Sequence, residues 1–216
     1  MPYYSISIDL ASKPCLVVGG GRVAFRKVVG LLRAGAKVTV IAKRFIPRFT
    51  MLGERVCCLE RCFAEGDVVR EFALVIGATD SLDVNMAIAA ACAEARVLCN
   101  IVDNPELCGF IVPSVLRRGP VSIAVSTGGA SPFLARAIRK RIAENIGPEY
   151  GALGAVLSRL RVALRRRIKE PGVRARFWES FFAVDPVALV GDRGAAHVEA
   201  LGLDLMESLL DGRGNS

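Results

Sequence analysis

Cys15-Leu16-Val17-Val18 runs straight into Gly19-Gly20-Gly21-Arg22-Val23-Ala24, and a helical pattern follows at once. A G-x-G-x-x-G/A turn between a strand and a helix suits the pyrophosphate of a dinucleotide. Gly19 permits the tight turn, Gly21 lets the backbone approach the phosphates, and Ala24 allows close packing of helix on strand. The helix N-terminus offers unpaired N–H donors to the anion. A plain glycine-rich turn is the alternative, and the strand-turn-helix context favours the ligand. About 20 residues on, where such units place an acidic residue for the ribose hydroxyls, stands Ile41-Ala42-Lys43-Arg44. Lys43 and Arg44 could accept a 2′-phosphate and favour NADP, or border an adenosine pocket whose backbone binds the ribose. Thr79 and Asp80, in Gly77-Ala78-Thr79-Asp80, add a hydroxyl and a carboxylate at the carboxyl end of a later strand, where open α/β sheets bind ligands. Asp80 could equally cap the helix that follows.

A second group of residues could do chemistry on what the first group binds. The lone histidine, His197, removes most imidazole acid/base chemistry, so a general base is expected among the carboxylates. Asp103, in Cys99-Asn100-Ile101-Val102-Asp103-Asn104-Pro105, leaves a strand on the same carboxyl edge and is the leading candidate. Walled by Ile101, Val102 and Phe110, its charged form would be disfavoured by desolvation. An Asx or proline turn is the plainer reading of the same residues. Ser126-Thr127-Gly128-Gly129-Ala130-Ser131-Pro132 is a strand end, a double-glycine turn and a helix start. Its backbone N–H groups would hold a carboxylate or phosphate, with Arg136 and Arg139 one and two turns further on. A purely structural turn is again the alternative.

These residues need a frame. Short β-branched runs alternate with helical patterns over the first hundred residues, as in βαβ units around a parallel sheet. Strands are expected at Cys15–Val18, Val38–Ile41, Val56–Leu59, Leu74–Gly77 and Val97–Ile101, with helices at Val23–Arg33, stopped by Gly35, and Leu82–Ala95. Further strands are expected at Phe110–Val112 and Val121–Ser126, then a helix over Pro132–Asn145 with Ser131 as N-cap. A boundary is expected near Pro113. After Pro148 the pattern is helical and Arg-rich up to a frayed Asp211–Ser216, with Leu157, Leu160, Leu164 and Ile168 marking an amphipathic helix over 153–170.

Composition bounds the function. The 216 residues are 52% hydrophobic and 23% charged, which fits a folded chain rather than a disordered one. No stretch approaches the ~20 apolar residues of a bilayer span, since even Val97–Leu116 carries Asn100, Asp103, Asn104 and Glu106. The opening MPYYSISIDLASK has no basic region followed by a long apolar one, so a cytoplasmic protein is expected. Seven cysteines, with Cys15, Cys92 and Cys99 inside apolar runs, read as free buried thiols. Cys57, Cys58 and Cys62 lack the second half of a zinc site, and no metal is expected. The 29 Lys plus Arg against 21 Asp plus Glu leave a net charge of +8, which implies an acidic partner. The Arg-rich stretch from Arg159 to Arg176 could also be a solvated helix face.

CLVVGGGRVAFRK, AGAKVTVIAKRF, IGATD, LCNIVDNPELCGFIVPS, VSIAVSTGGASP and RARFWESFF occur in that order. Over about residues 1–182 the chain resembles the precorrin-2 dehydrogenase/sirohydrochlorin ferrochelatase family, the N-terminal part of siroheme synthase. The resemblance implies an α/β fold with a Rossmann-like parallel sheet over 1–113, a small α+β dimerisation domain over 114–147 and a helical C-terminal domain over 148–216. It implies NAD as cofactor, a homodimer, and oxidation of precorrin-2 to sirohydrochlorin, followed in bifunctional members by insertion of ferrous iron to give siroheme. Asp103 matches the family's catalytic aspartate. The dinucleotide contacts fall on Gly21, Arg22, Val23, Lys43, Arg44 and Thr79, and substrate contacts are expected near Asn100 and over Ser126, Thr127, Gly128 and Gly129. Thr127 stands where a related enzyme carries a phosphorylatable serine. A chain of this length leaves no room for a fused methyltransferase, so another enzyme is expected to supply precorrin-2. Tetrapyrrole polycarboxylates account for the positive charge without nucleic acid or membrane as partner. A dehydrogenase without chelatase activity, or a non-catalytic sensor of dinucleotide or tetrapyrrole, are the alternative readings.

Overall fold

The computed structural model describes residues 3–212, which divide between Val112 and Pro113 into two compact units. In the first unit the β-branched runs form five strands, β1 (Pro14–Val18), β2 (Lys37–Ala42), β3 (Val56–Glu60), β4 (Leu74–Gly77) and β5 (Leu98–Ile101), all parallel and ordered β3-β2-β1-β4-β5. Helix α1 (Arg22–Arg33) links β1 to β2, and α2 (Leu82–Ala95) links β4 to β5. Successive side chains on a strand point to opposite faces. Cys15 and Val17 therefore join one core with Ala24 and Val28 of α1, while Leu16 and Val18 join another with Ile88 and Cys92 of α2. Burial on both faces explains why these strands read as continuous apolar runs. Each fully buried Leu or Ile contributes about 1.5–3 kcal/mol. The strand order reverses between β1 and β4, which leaves a crevice beyond their carboxyl ends.

In the second unit β6 (Ser114–Arg118) and β7 (Val121–Val125) form an antiparallel hairpin, followed by α3 (Pro132–Asn145), α4 (Pro148–Arg167), α5 (Pro171–Phe182), α6 (Pro186–Arg193) and α7 (Ala195–Leu210). Both α3 and α4 pack against β6 and β7, so the segments 114–147 and 148–216 of the sequence reading lie in one unit. Leu160, Leu164 and Ile168 are buried with Phe177, Phe181, Val198 and Met206, and Leu157 is half-buried beside them. Arg159 holds Glu199 across α4 and α7 at 2.6 Å.

The expected strand Phe110–Val112 is not formed. The apolar run there has no ladder partner, and the hairpin begins at Ser114 instead. From residue 213 on, the expected frayed end lies outside the described residues. No described helix is long and apolar enough to cross a membrane.

Candidate functional site

Beyond the carboxyl ends of β1, β2 and β4 opens a cavity of about 670 Å³, and Gly19, Gly20, Gly21, Arg22, Val23, Lys43, Arg44, Thr79 and Asp80 all line it. The three glycines differ in what they do. A Cβ on Gly19 would stand 2.2 Å from the Ala78 carbonyl oxygen, and one on Gly20 would stand 2.0 Å from that of Arg44. Gly19 also has φ +129, outside the range of L side chains. These two let the turn pass between neighbouring loops. A Cβ on Gly21 meets nothing within 4 Å, so its side of the backbone faces open space.

Gly21 is the N-cap of α1 and carries no side chain to cap it. The first intrahelical bond runs from Phe25 N–H to Gly21 O at 3.0 Å, and no acidic side chain stands in the first turn. The donors that open α1 are thus left to an anion, and the residues fit a dinucleotide pyrophosphate. Lys43 and Arg44 are exposed on the cavity rim. Another cation there, Arg61, is already engaged by Asp67 through hydrogen bonds of 2.7 and 2.6 Å, and that guanidinium holds the Asp67 carboxyl below its ordinary range.

On the opposite wall Thr79 donates its hydroxyl to Asn85 Oδ1 at 2.8 Å. Asp80 is exposed, and the capping alternative is settled against it, because Ser81 is the N-cap of α2 and accepts from Val84 N–H at 3.4 Å. Asn85 was not read from the sequence as a site residue. Its only signal was an amide inside an apolar helix, where it is now seen buried.

Asn100 does not line this cavity. It is 6% exposed at the end of β5, where its Nδ2 donates to Phe110 O at 2.9 Å and its Oδ1 has no protein partner. Asp103 follows on a turn with φ +60, a left-handed conformation that costs of order 1–3 kcal/mol for a residue other than glycine. Contrary to expectation Asp103 is exposed rather than walled in. Ile101 packs into one sheet core and Val102 and Phe110 onto the other, so the apolar neighbours face away from the turn. Lys27 of α1 was also missed. It is half-buried, has no ion pair among the described residues, and burial pushes its ammonium below the ordinary range, opposed by the charge of Asp103.

In the second unit the loop after β7 has Gly128 at φ +62 and Gly129 at φ +90. Its donors are less free than expected. Ser126 Oγ accepts from Gly128 N–H at 3.2 Å, Thr127 Oγ1 from Ser131 N–H at 3.1 Å, and Ser131 Oγ from Leu134 N–H at 3.2 Å. Arg136 is exposed, with its guanidinium 5.2 Å above the Phe133 ring.

Residues 6–114 match a family model described as "Putative NAD(P)-binding". Residues 118–145 match "Sirohaem biosynthesis protein central", and 149–206 match "Sirohaem synthase dimerisation region". The chain belongs to the NAD(P)-binding family of the first model, and its second half carries the sirohaem-biosynthesis central region and the sirohaem-synthase dimerisation region. Relatives include the siroheme synthase of Thioalkalivibrio sulfidiphilus, 44% identical over 83% of this chain and 37% of that protein. Siroheme synthase 2 of Pectobacterium atrosepticum is 39% identical over 99% of this chain and 47% of its own length. The chain thus spans less than half the length of the curated relatives it matches. A solved structure of "SirC, precorrin-2 dehydrogenase" superposes with a TM-score of 0.73 at 22% identity, covering 95% of this chain and all of that one, and so shares the fold. The family places dinucleotide binding in the first unit, where the glycine turn and the cavity lie.

Proposed function

We propose that the protein oxidises precorrin-2 to sirohydrochlorin with NAD as the oxidant, Asp103 taking up a proton. The observation that carries this reading is one sheet edge. The dinucleotide cavity and the Asp103 turn both lie at the carboxyl edge of the same parallel sheet, after β1, β2 and β4 in one case and after β5 in the other. A nicotinamide dinucleotide supplies a hydride acceptor when bound. The open first turn of α1 holds the pyrophosphate, Gly19 and Gly20 keep the turn close to its neighbours, and Lys43 and Arg44 face the adenosine end. The Thr79–Asn85 pair fixes the opposite wall. Loss of a hydride and a proton balances the removal of two hydrogens from the substrate, and the exposed Asp103 carboxylate receives the proton. A positioned base of this kind contributes ~10²–10⁴-fold.

The remaining substrate contacts are assigned to Asn100, to the Ser126–Gly129 loop and to Arg136, whose positive charge suits a polycarboxylate. A homodimer is the proposed working form. The match to a dimerisation region supports it, as does α3, where Phe133 is 76% exposed. Insertion of ferrous iron, as substrate, into sirohydrochlorin is proposed as a second step, with the same Asp103 drawing protons from the pyrrole nitrogens. An anaerobic assay with precorrin-2 and NAD or NADP, followed by addition of ferrous iron, tests both steps. Appearance of sirohydrochlorin and then faster siroheme formation than without protein is the expected result. No oxidation with either nucleotide would overturn the reading.

A further inference from the structure

Asp103 keeps a left-handed backbone, and contacts on either side of it fix the turn. Before it, Val102 N–H donates to Gly77 O at 2.8 Å, which ties the chain to β4. After it, Asn104 N–H closes on Ile101 O at 3.3 Å. The Cys108 thiol fills the inside of this turn. Its Sγ accepts from Ile101 N–H at 3.2 Å and lies 3.2 Å from Ile101 O and 3.3 Å from Asn104 O, either of which the S–H can reach as donor. Asn100 Nδ2 approaches the same sulfur at 3.5 Å. One side chain thus touches the main chain on both sides of Asp103. Burial pushes the thiol above its ordinary range, so it keeps its proton, and with it its donor, at neutral pH.

We propose that Cys108 is a positioning residue for Asp103, its thiol clamping the Ile101–Asn104 turn so that the carboxylate stays presented at the sheet edge. The proposal rests on the reading of Asp103 as proton acceptor, and no bond forms or breaks at the sulfur. A residue that positions a base should affect turnover through that base alone.

The test is a double-mutant cycle in the full chain, with Cys108→Ala, Cys108→Ser, Asp103→Asn and the double variants. Single-turnover rates with enzyme in excess, KM for precorrin-2, dinucleotide Kd and Tm are measured for each. Cys108→Ala is expected to lower the rate about 10-fold, as a small displacement of a catalytic group does, with dinucleotide Kd unchanged. Cys108→Ser, whose hydroxyl can donate and accept from the same place, should recover part of the loss. In the Asp103→Asn background the Cys108→Ala change should cost nothing further. Full activity of Cys108→Ala beside an impaired Asp103→Asn overturns this proposal alone, as does a loss undiminished in the Asp103→Asn background. Full activity of Asp103→Asn overturns the reading of Asp103 and the proposal with it. If the alanine variant does not fold, the serine variant carries the same cycle.

Discussion

Thr79 and Asn85 are bound reciprocally, the hydroxyl of one donating to Oδ1 of the other at 2.8 Å and the amide Nδ2 returning a bond to the Thr79 carbonyl at 3.1 Å. The pair ties the loop after β4 to the buried side of α2 and so fixes a wall of the cavity proposed to hold the dinucleotide. Asn85→Leu leaves the Thr79 carbonyl without this donor. We expect a loss of about 1–3 kcal/mol in stability and weaker dinucleotide binding, both read by denaturant unfolding and by cofactor titration. A folded variant with unchanged affinity would detach this pair from the site.

The glycine turn makes a contrast within three residues. Gly20→Ala forces a Cβ onto the Arg44 carbonyl, so it should cost both stability and affinity. Gly21→Ala meets open space, so the fold should hold while the added methyl obstructs the pyrophosphate. Tm and dinucleotide Kd measured together separate the two, and equal loss of Tm in both variants would contradict the assignment.

Much of this frame could be read from the residues, and the exceptions have physical causes. Strands buried on both faces show as unbroken apolar runs, and α1 carries its stop signal locally, in Gly35, whereas the cap of α2 is Ser81 and not the Asp80 that the sequence offered. Phe110–Val112 has the composition of a strand but no neighbour to pair with, which composition cannot show. Asp103 is exposed on a left-handed turn while Ile101 and Val102 pack into the two sheet cores, a split that composition does not show. The roles of Asn85 and Cys108 exist only as contacts to residues four to eight positions away, set by where α2 and the β5 turn fold back.

Lys43 and Arg44 are neighbouring cations at the end of β2 on the cavity rim, where the described side chains leave them unpaired, while Arg61 is held by Asp67. Lys43→Ala/Arg44→Ala should therefore weaken NADP more than NAD, by about 10-fold or more, the size of one lost charged contact. Parallel titrations with the two nucleotides measure it, and equal loss for both would show that the pair only borders the pocket.

Raised thiols predict the alkaline behaviour of the first unit. Burial raises Cys15, Cys58 and Cys108, and the hydrogen bond with Cys92, then burial, raises Cys99, while the same hydrogen bond lowers Cys92. A folded state with raised values binds protons that the unfolded chain has released above its thiol pKa of about 8.5. This stability is fully present below that pH and is lost as pH rises through the folded values. Tm should fall between pH 8 and 10, about the unfolded thiol range, and fall less in Cys15→Ala relative to its own value at pH 7, taken as the neutral reference. A pH response identical in the variant would contradict this.

Asp103 is the centre of the proposed reaction, and Asp103→Asn tests it with little risk to the fold, since asparagine accepts the left-handed conformation readily. The measurement is anaerobic conversion of precorrin-2 to sirohydrochlorin with NAD, beside dinucleotide Kd, for the wild type and this variant. The predicted result is conversion by the wild type and a loss of ~10²–10⁴-fold in the variant at unchanged Kd. Turnover of Asp103→Asn at the wild-type rate, or no conversion by the wild type, would contradict it.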